Sequence, residues 1–218
     1  MARRLVLAEP DPTWPARFEL EVARIRSGCR LPALKIEHVG STAVPGLPAK
    51  PIIDMVAFVP DFPAGEALID PLRTLGYVYH GLAGIPGRRY FDLPALGPRE
   101  LDLFHLHVYP EGHPDASRLL AFRDFLRANG PRREAYAAAK RDLLRRYPED
   151  ILLYTGGKTA AIRPIYRAMA GRAEPRVEVV PYDPAWPGAF EEAAAALRQA
   201  LGDGILGVEH VGSTAVPG

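Results

Sequence analysis

Apolar positions along the chain switch between a helical and a strand period. From Asp11 to Gly28 they fall at helical spacing. Phe18, Val22 and Ile25 share one face, Asp11 or Thr13 can cap the start, Pro15 suits the first turn, and Gly28 ends the run. Residues 5–8 read as a short strand or extended arm, and residues 35–39 as a strand. Residues 40–50 are rich in turn formers, with room for one helical turn. Residues 51–59 are almost continuously apolar, as in a strand near the centre of a sheet. Residues 64–75 fit a helix, and 77–80, 88–93 and 101–109 fit three more strands. Helices are expected over 115–128, 132–146 and 159–170, with Gly156-Gly157 as a break before the last and a linker around Pro175. Strands in the middle with helices before and after predict an α+β or α/β sheet domain.

Part of this pattern occurs twice. Asp11-Pro12-Thr13-Trp14-Pro15 returns as Asp183-Pro184-Ala185-Trp186-Pro187, Phe18 returns as Phe190, and the ten residues from Glu37 to Gly46 return unchanged from Glu209 to Gly218. The offset is 172 throughout, without a gap. A period so far above about 20–50 residues means a duplicated domain, not a solenoid. The expected organisation is one complete unit over residues 1–172, then a linker and the truncated start of a second over 173–218. That second stretch offers a helix and one strand at most. It is expected to be poorly ordered or to dock on another surface, and the chain to be cut here or to belong to a longer tandem protein.

Composition narrows the function classes. The 218 residues carry a net charge of +1, which excludes a strongly basic nucleic-acid coat and an acidic disordered tail. The lone Cys29 excludes an internal disulfide framework and a cysteine zinc cluster. No apolar run approaches the ~18 residues of a membrane span, and the apolar stretch 5–8 is too short for a signal peptide, so a cytoplasmic protein without a membrane partner is expected. Of 27 basic residues only Lys35, Lys50, Lys140 and Lys158 are lysine, which gives a lysine in a polar motif added interest.

The chemistry centres on a Gly-Ser turn followed by a strand carboxylate. After the strand ending at Val39, Gly40, Ser41 and Thr42 form a turn whose backbone N–H groups suit a phosphate. Asp54 then stands in apolar company, where a carboxylate is costly unless it is paired or binds a cation. Lys50 lies close by in sequence, as a phosphate contact or as the partner of Asp54. His105 and His107 share one face of their strand, as two metal ligands or two donors to a phosphate would; a structural role is the plainer alternative. Arg88 and Arg89 follow a glycine-bounded loop that fits a phosphate, or else they edge a solvated hairpin. Gly157-Lys158-Thr159 has the tail of a P-loop, but Leu152 occupies the required glycine position, so Lys158 is expected only to reach the cleft. The arginines of residues 115–146 are interspersed with acids, as on a solvated face; an RNA surface is the alternative.

Residues 37–47, with Ala49-Lys50-Pro51-Ile52-Ile53-Asp54, resemble the signature of the GrpB family. The resemblance runs over residues 1–170, through Trp14-Pro15, Gly87-Arg88-Arg89-Tyr90-Phe91, His105-Leu106-His107-Val108, residues 122–127, Tyr154-Thr155 and Lys158-Thr159. It implies the nucleotidyltransferase superfamily with a polymerase-beta-like core: an α+β fold with a mixed sheet, flanking helices and a C-terminal helical segment. In that superfamily a Gly-Ser turn holds the triphosphate. Two carboxylates at alternate strand positions and a third on another strand hold two Mg²⁺ ions. Here Asp54 supplies the first, Val56 stands where the second belongs, and Asp102 is the candidate third, with Asp92, Glu37 and the histidines as further options. The resemblance thus implies a Mg²⁺-dependent nucleotidyltransferase, with Asp54, His105 and His107 at the reaction and Asp54 and Asp102 on the metal. Gly40, Ser41, Thr42, Lys50, Arg88, Arg89 and Lys158 would bind the nucleotide. The Val56 departure favours an alternative, a non-catalytic module that holds a nucleotide or phosphorylated small molecule. A third class is a histidine-based metal phosphohydrolase.

Overall fold

The structure is a computed structural model that describes residues 6–95, 102–171, 181–202 and 207–216, with only the backbone of Asp102. The chain divides into two units, Met1–Glu174 and Pro175–Gly218. The linker around Pro175 lies outside the described residues.

The first unit holds a five-stranded sheet of β1 (Lys35–Val39), β2 (Ile53–Val59), β3 (Val78–Tyr79), β4 (Arg89–Pro94) and β5 (Asp102–Pro110), in the order β1-β2-β5-β4-β3. The sheet is mixed: β2 and β5 run parallel at its centre and every other pair is antiparallel. Helix α1 (Trp14–Gly28) precedes it, a 3₁₀ stretch and α2 (Ile69–Thr74) follow β2, and α3 (Pro114–Ala128), α4 (Gly130–Arg146) and α5 (Ile151–Met169) come last. This is the expected α+β arrangement. The arm at the N-terminus makes a single antiparallel bridge, Ala8 to Ala49.

The strand period of two sorts the sheet into unlike faces. Ile53, Met55, Ala57 and Val59 of β2, Phe91 of β4 and Phe104, Leu106 and Val108 of β5 pack against Phe18, Val22 and Ile25 of α1 and Leu72 of α2. Burying one such side chain contributes roughly 1.5–3 kcal/mol, so this face anchors the sheet. On the other face the register lines up Val39, Asp54, His105 and Asp92 in one row and Glu37, Val56, His107 and Tyr90 in the next. Its apolar part, Val39, Val56, Tyr109 and Ala116, is small. A separate cluster of Val44, Leu47, Phe122, Leu126, Tyr136, Ala137 and Ile165 joins the 40–50 segment to α3, α4 and α5.

Two expected elements differ. Residues 64–75 are not one helix: a 3₁₀ stretch, Pro63–Leu68, leads into the short α2. Helix α5 begins at Ile151, not after Gly156-Gly157, and runs unbroken to Met169. Asp150 caps it through the N–H groups of Leu152 and Leu153, at 3.0 and 2.9 Å. Gly157 serves packing: a Cβ there would lie 2.2 Å from the Leu143 side chain of α4. Helices α4 and α5 therefore meet at a glycine inside a helix, not at a break.

The duplicated motif has one local structure in both units. In the first, the His38 ring stacks on Phe18 at 4.8 Å and its Nε2 lies 3.0 Å from Thr42 Oγ1. In the second, α6 (Trp186–Leu201) carries Phe190, which stacks on His210 at 4.8 Å, and His210 Nε2 lies 2.9 Å from Thr214 Oγ1. The turn after each histidine is a single 3₁₀ turn, Ser41–Ala43 and Ser213–Ala215, entered through a glycine at φ 72° or 91°. Among the described residues the second unit has no strand.

Burial drives the His38 imidazole down to about 4 against the pull of Asp54, and His107 to about 4 for the same reason. A histidine held neutral in the fold stabilises it fully above its unfolded value of about 6.5, and that stability is lost as pH falls toward 4. From His38 alone, stability is expected to drop by about 2 kcal/mol between pH 7 and pH 5. Urea denaturation at the two pH values checks this: His38→Gln should shrink the drop by about that amount.

Candidate functional site

The polar face of the sheet and the 40–50 segment meet at Gly40. Its φ of 72° and ψ of −168° are a backbone conformation open essentially only to glycine. A Cβ at Gly40 would also fall 2.3 Å from Asp54 Oδ2 and 3.0 Å from Asp54 Cβ. Glycine is thus required twice, for the bend and for the approach of the carboxylate. The turn is held from behind: Arg123 of α3 donates to the His38 carbonyl at 2.8 Å, and Arg127 to the Ala43 carbonyl at 2.9 Å. Its first N–H groups, those of Ser41 and Thr42, have no carbonyl within the turn to donate to.

Asp54 and His105 stand side by side on the central strands, Oδ1 to Nδ1 3.0 Å, with 33% and 21% of their side chains exposed. Burial pushes the Asp54 carboxyl up, but the hydrogen bond and charge of His105, with His107 and Lys158 beyond, hold it below the ordinary carboxylate value. His107, one row on, sits between the rings of Tyr90 and Tyr109, with Arg88 Nη1 3.3 Å from its Nδ1.

The other wall comes from the helices. Lys140 of α4 is 2% exposed, and its Nζ donates to Ser41 Oγ at 3.1 Å and to the Pro48 carbonyl. Burial, then the charges of Lys158 and Arg141, lowers its ammonium to about 7. Tyr136 is buried beside it, with Lys140 Nζ 4.8 Å from the centre of its ring, and burial pushes its hydroxyl well above the ordinary phenol value. Lys158 of α5 acts electrostatically on both Asp54 and Lys140, and Lys50 Nζ lies 5.5 Å from the centre of the Tyr154 ring. Three of the four lysines, Lys50, Lys140 and Lys158, therefore belong to the helical side of this region.

The structure brings Gly40, Ser41, Asp54, His105, His107 and Lys158 together. Thr42 is buried, and its hydroxyl serves His38 and the Ile52 carbonyl. Arg88 borders the site but is committed to the Leu82 and Ala83 carbonyls of its own loop. Arg89 faces the opposite side of the sheet, over the Phe62 ring and against the Phe62 carbonyl and Glu66, because neighbours on a strand point opposite ways. Asp102 starts β5, and its side chain lies outside the described residues. Lys140 and Tyr136 escaped the sequence reading; the scarcity of lysine was the signal for the first.

Among the described residues the donors do not make up a two-Mg²⁺ centre, which needs several hard oxygen ligands. Val56 is fully buried where a second carboxylate would stand. Asp92 is paired with His80 at 2.6 Å, and Glu37 with Arg123 at 2.9 Å. Among the described residues no three His, Cys, Asp or Glu side chains converge as metal ligands.

The GrpB protein family model matches residues 4–168 and again residues 176–218. The chain belongs to the GrpB family. It is 40% identical over 178 residues to the UPF0157 protein PA4798 of Pseudomonas aeruginosa, covering 80% of this chain and 72% of that one. The crystal structure of GrpB from Enterococcus faecalis is similar at a TM-score of 0.62 and 32% identity, over 74% of this chain and 99% of that one. A fainter likeness, TM-score 0.44 at 9% identity over 63% of this chain and 43% of that one, is to Cid1 in complex with its short product ApU. No helix among the described residues is long and apolar enough to cross a membrane.

Gly40→Ala should cost about 2–4 kcal/mol, through backbone strain and the clash with Asp54. Gly46 also has a positive φ, 78°, but a Cβ there meets nothing closer than Arg133 at 3.9 Å. Gly46→Ala should therefore cost only about 1–2 kcal/mol. Chemical denaturation of both variants reads the difference.

Proposed function

We propose that this GrpB protein binds the phosphate groups of a nucleotide or phosphorylated small molecule at the Gly40–Ser41 turn, as a binding module without two-metal nucleotidyl transfer. The observation that carries the reading is Lys140. A lysine at 2% exposure is costly, and among the described residues no carboxylate pairs with it. Its Nζ points at the hydroxyl of a turn whose first N–H groups lack acceptors within the turn. Charge, hydroxyl and backbone donors thus converge on one place suited to an anion. Lys158 adds a second cation near it.

Asp54 has a different part in this reading. Its carboxylate lies against Gly40 and is held ionised by His105, so it repels an anion that comes too deep and accepts from hydroxyl or amino groups of the ligand. The transferase alternative asks more of the site than Val56, Asp92 and Glu37 supply. An RNA surface on α3 and α4 draws no support from their arginines, many of which are paired: Arg118 with Asp115, Arg123 with Glu37 and Asp124, Arg141 with Glu9, and Arg145 and Arg146 with Asp142. A cytoplasmic location goes with a ligand of this kind.

Titration calorimetry with pyrophosphate and with each nucleoside triphosphate, with and without chelator, tests the reading. Binding is expected to survive chelation and to weaken at least about tenfold in Lys140→Met, the loss of one buried charge-assisted contact. No binding of pyrophosphate or any triphosphate up to millimolar concentration would sink it. The sign with pH is fixed by the ammonium near 7: it is charged below that value and neutral above. Sulfate, whose own charge is constant over this range, should therefore bind more tightly at pH 6 than at pH 8.5, and Lys140→Met should abolish the difference.

A further inference from the structure

Ser41 and Lys140 have a second capacity that phosphate binding does not use. Ser41 is half-buried, and among the described residues the amine that reaches its hydroxyl, Lys140, is buried and also held by the Pro48 carbonyl. A neutral amine has two N–H donors and one lone pair. With an N–H on Pro48, the lone pair is free to accept the Ser41 hydroxyl proton. The groups that face this amine are Tyr136 and Arg141 of α4, Lys158 of α5 and Ser41 itself, so no acid among them holds it protonated. Ser41 also follows a glycine in a strained, tight turn, which presents its Oγ beside N–H groups able to take an oxyanion.

We infer that Ser41 is a nucleophile with Lys140 as its proton acceptor, built for acyl transfer from an ester or thioester that bears an anionic group. In the first step the Ser41 Oγ–acyl carbon bond forms and the hydroxyl proton passes to Lys140 Nζ. The bond from the acyl carbon to the leaving oxygen or sulfur then breaks, and the leaving group takes the proton back from Lys140. Water repeats the sequence to free the acid and restore the serine. Lys158 is the cation placed to attract the donor's anionic group. The Lys140 ammonium, lowered to about 7, leaves an ample neutral fraction at physiological pH. This inference goes beyond the phosphate-binding reading and does not depend on it.

The chain carries its own control. Ser213 follows Gly212 in the same 3₁₀ turn within the same decapeptide, yet among the described residues no lysine or tyrosine bonds its hydroxyl. A fluorophosphonate probe reports the nucleophile directly: the Oγ–phosphorus bond forms, fluoride leaves, and the proton goes to Lys140. The full chain would be treated with the probe, digested with trypsin and analysed by mass spectrometry, which separates the Ser41 and Ser213 peptides. The adduct is expected on Ser41 and not on Ser213, with a rate that climbs at least about tenfold from pH 5.5 to pH 8.5 as the amine loses its proton. Lys140→Met and Lys140→Arg should each cut the rate at least about tenfold, and the wild-type pH profile needs no variant to fold. No adduct on Ser41, equal labelling of both serines, or a flat pH profile overturns the inference. Sulfate binding tests the other reading separately: it is expected to fall with rising pH, whereas labelling rises.

Discussion

The parallel pairing of β2 with β5 is the constraint on which the rest of the first unit depends. It sets Asp54 beside His105 and Val56 beside His107, and the same alternation turns Ile53, Met55, Leu106 and Val108 into the main core. A slip of one residue would send the carboxylate into that core and the aliphatic side chains to the cleft. The apolar face therefore fixes the register, and the polar pair follows from it. The cost of placing Asp54 there is offset by His105, and the gain is a carboxylate whose position is set by the two central strands of the sheet.

Around that pair the site is made by approach, not by sequence proximity. The Gly40 turn lies against Asp54 because no Cβ intervenes. The arginines of α3 grip the turn from behind through the His38 and Ala43 carbonyls, leaving the Ser41 hydroxyl to α4. Each wall has one job: the sheet supplies the carboxylate and imidazoles, the turn its N–H groups and hydroxyl, and the helices the ammonium groups.

Much of the fold was legible in the sequence because its elements obey local rules. The apolar run of residues 53–59, the helical spacing of Phe18, Val22 and Ile25, and the proline and glycine that bound α1 all act within a few residues. The start of α5 was not, because Gly156-Gly157 looks like a break until Leu143 is seen against Gly157. That Asp54 needs a partner could be anticipated from its apolar neighbours, but the partner is His105 of the next strand and not the nearby Lys50, whose amine lies over the Tyr154 ring. The opposite directions of Arg88 and Arg89 were implicit in the strand period, although their adjacency suggested a joint role. Lys140 could not be placed from sequence: nothing near it points to residue 41, and only the docking of α4 decides where its amine goes.

That separation bears on the order of folding. Ser41 and Lys140 are 99 residues apart, and Asp54 and His105 are 51 apart. Each contact closes a long loop whose entropy must be recovered by later packing, so such pairings form slowly. The motif around Gly40 is different: its own histidine, threonine and phenylalanine brace it, as the second copy shows within a short stretch of chain. The turn thus carries its own bracing, whereas its contact with the lysine exists only once α4 has docked.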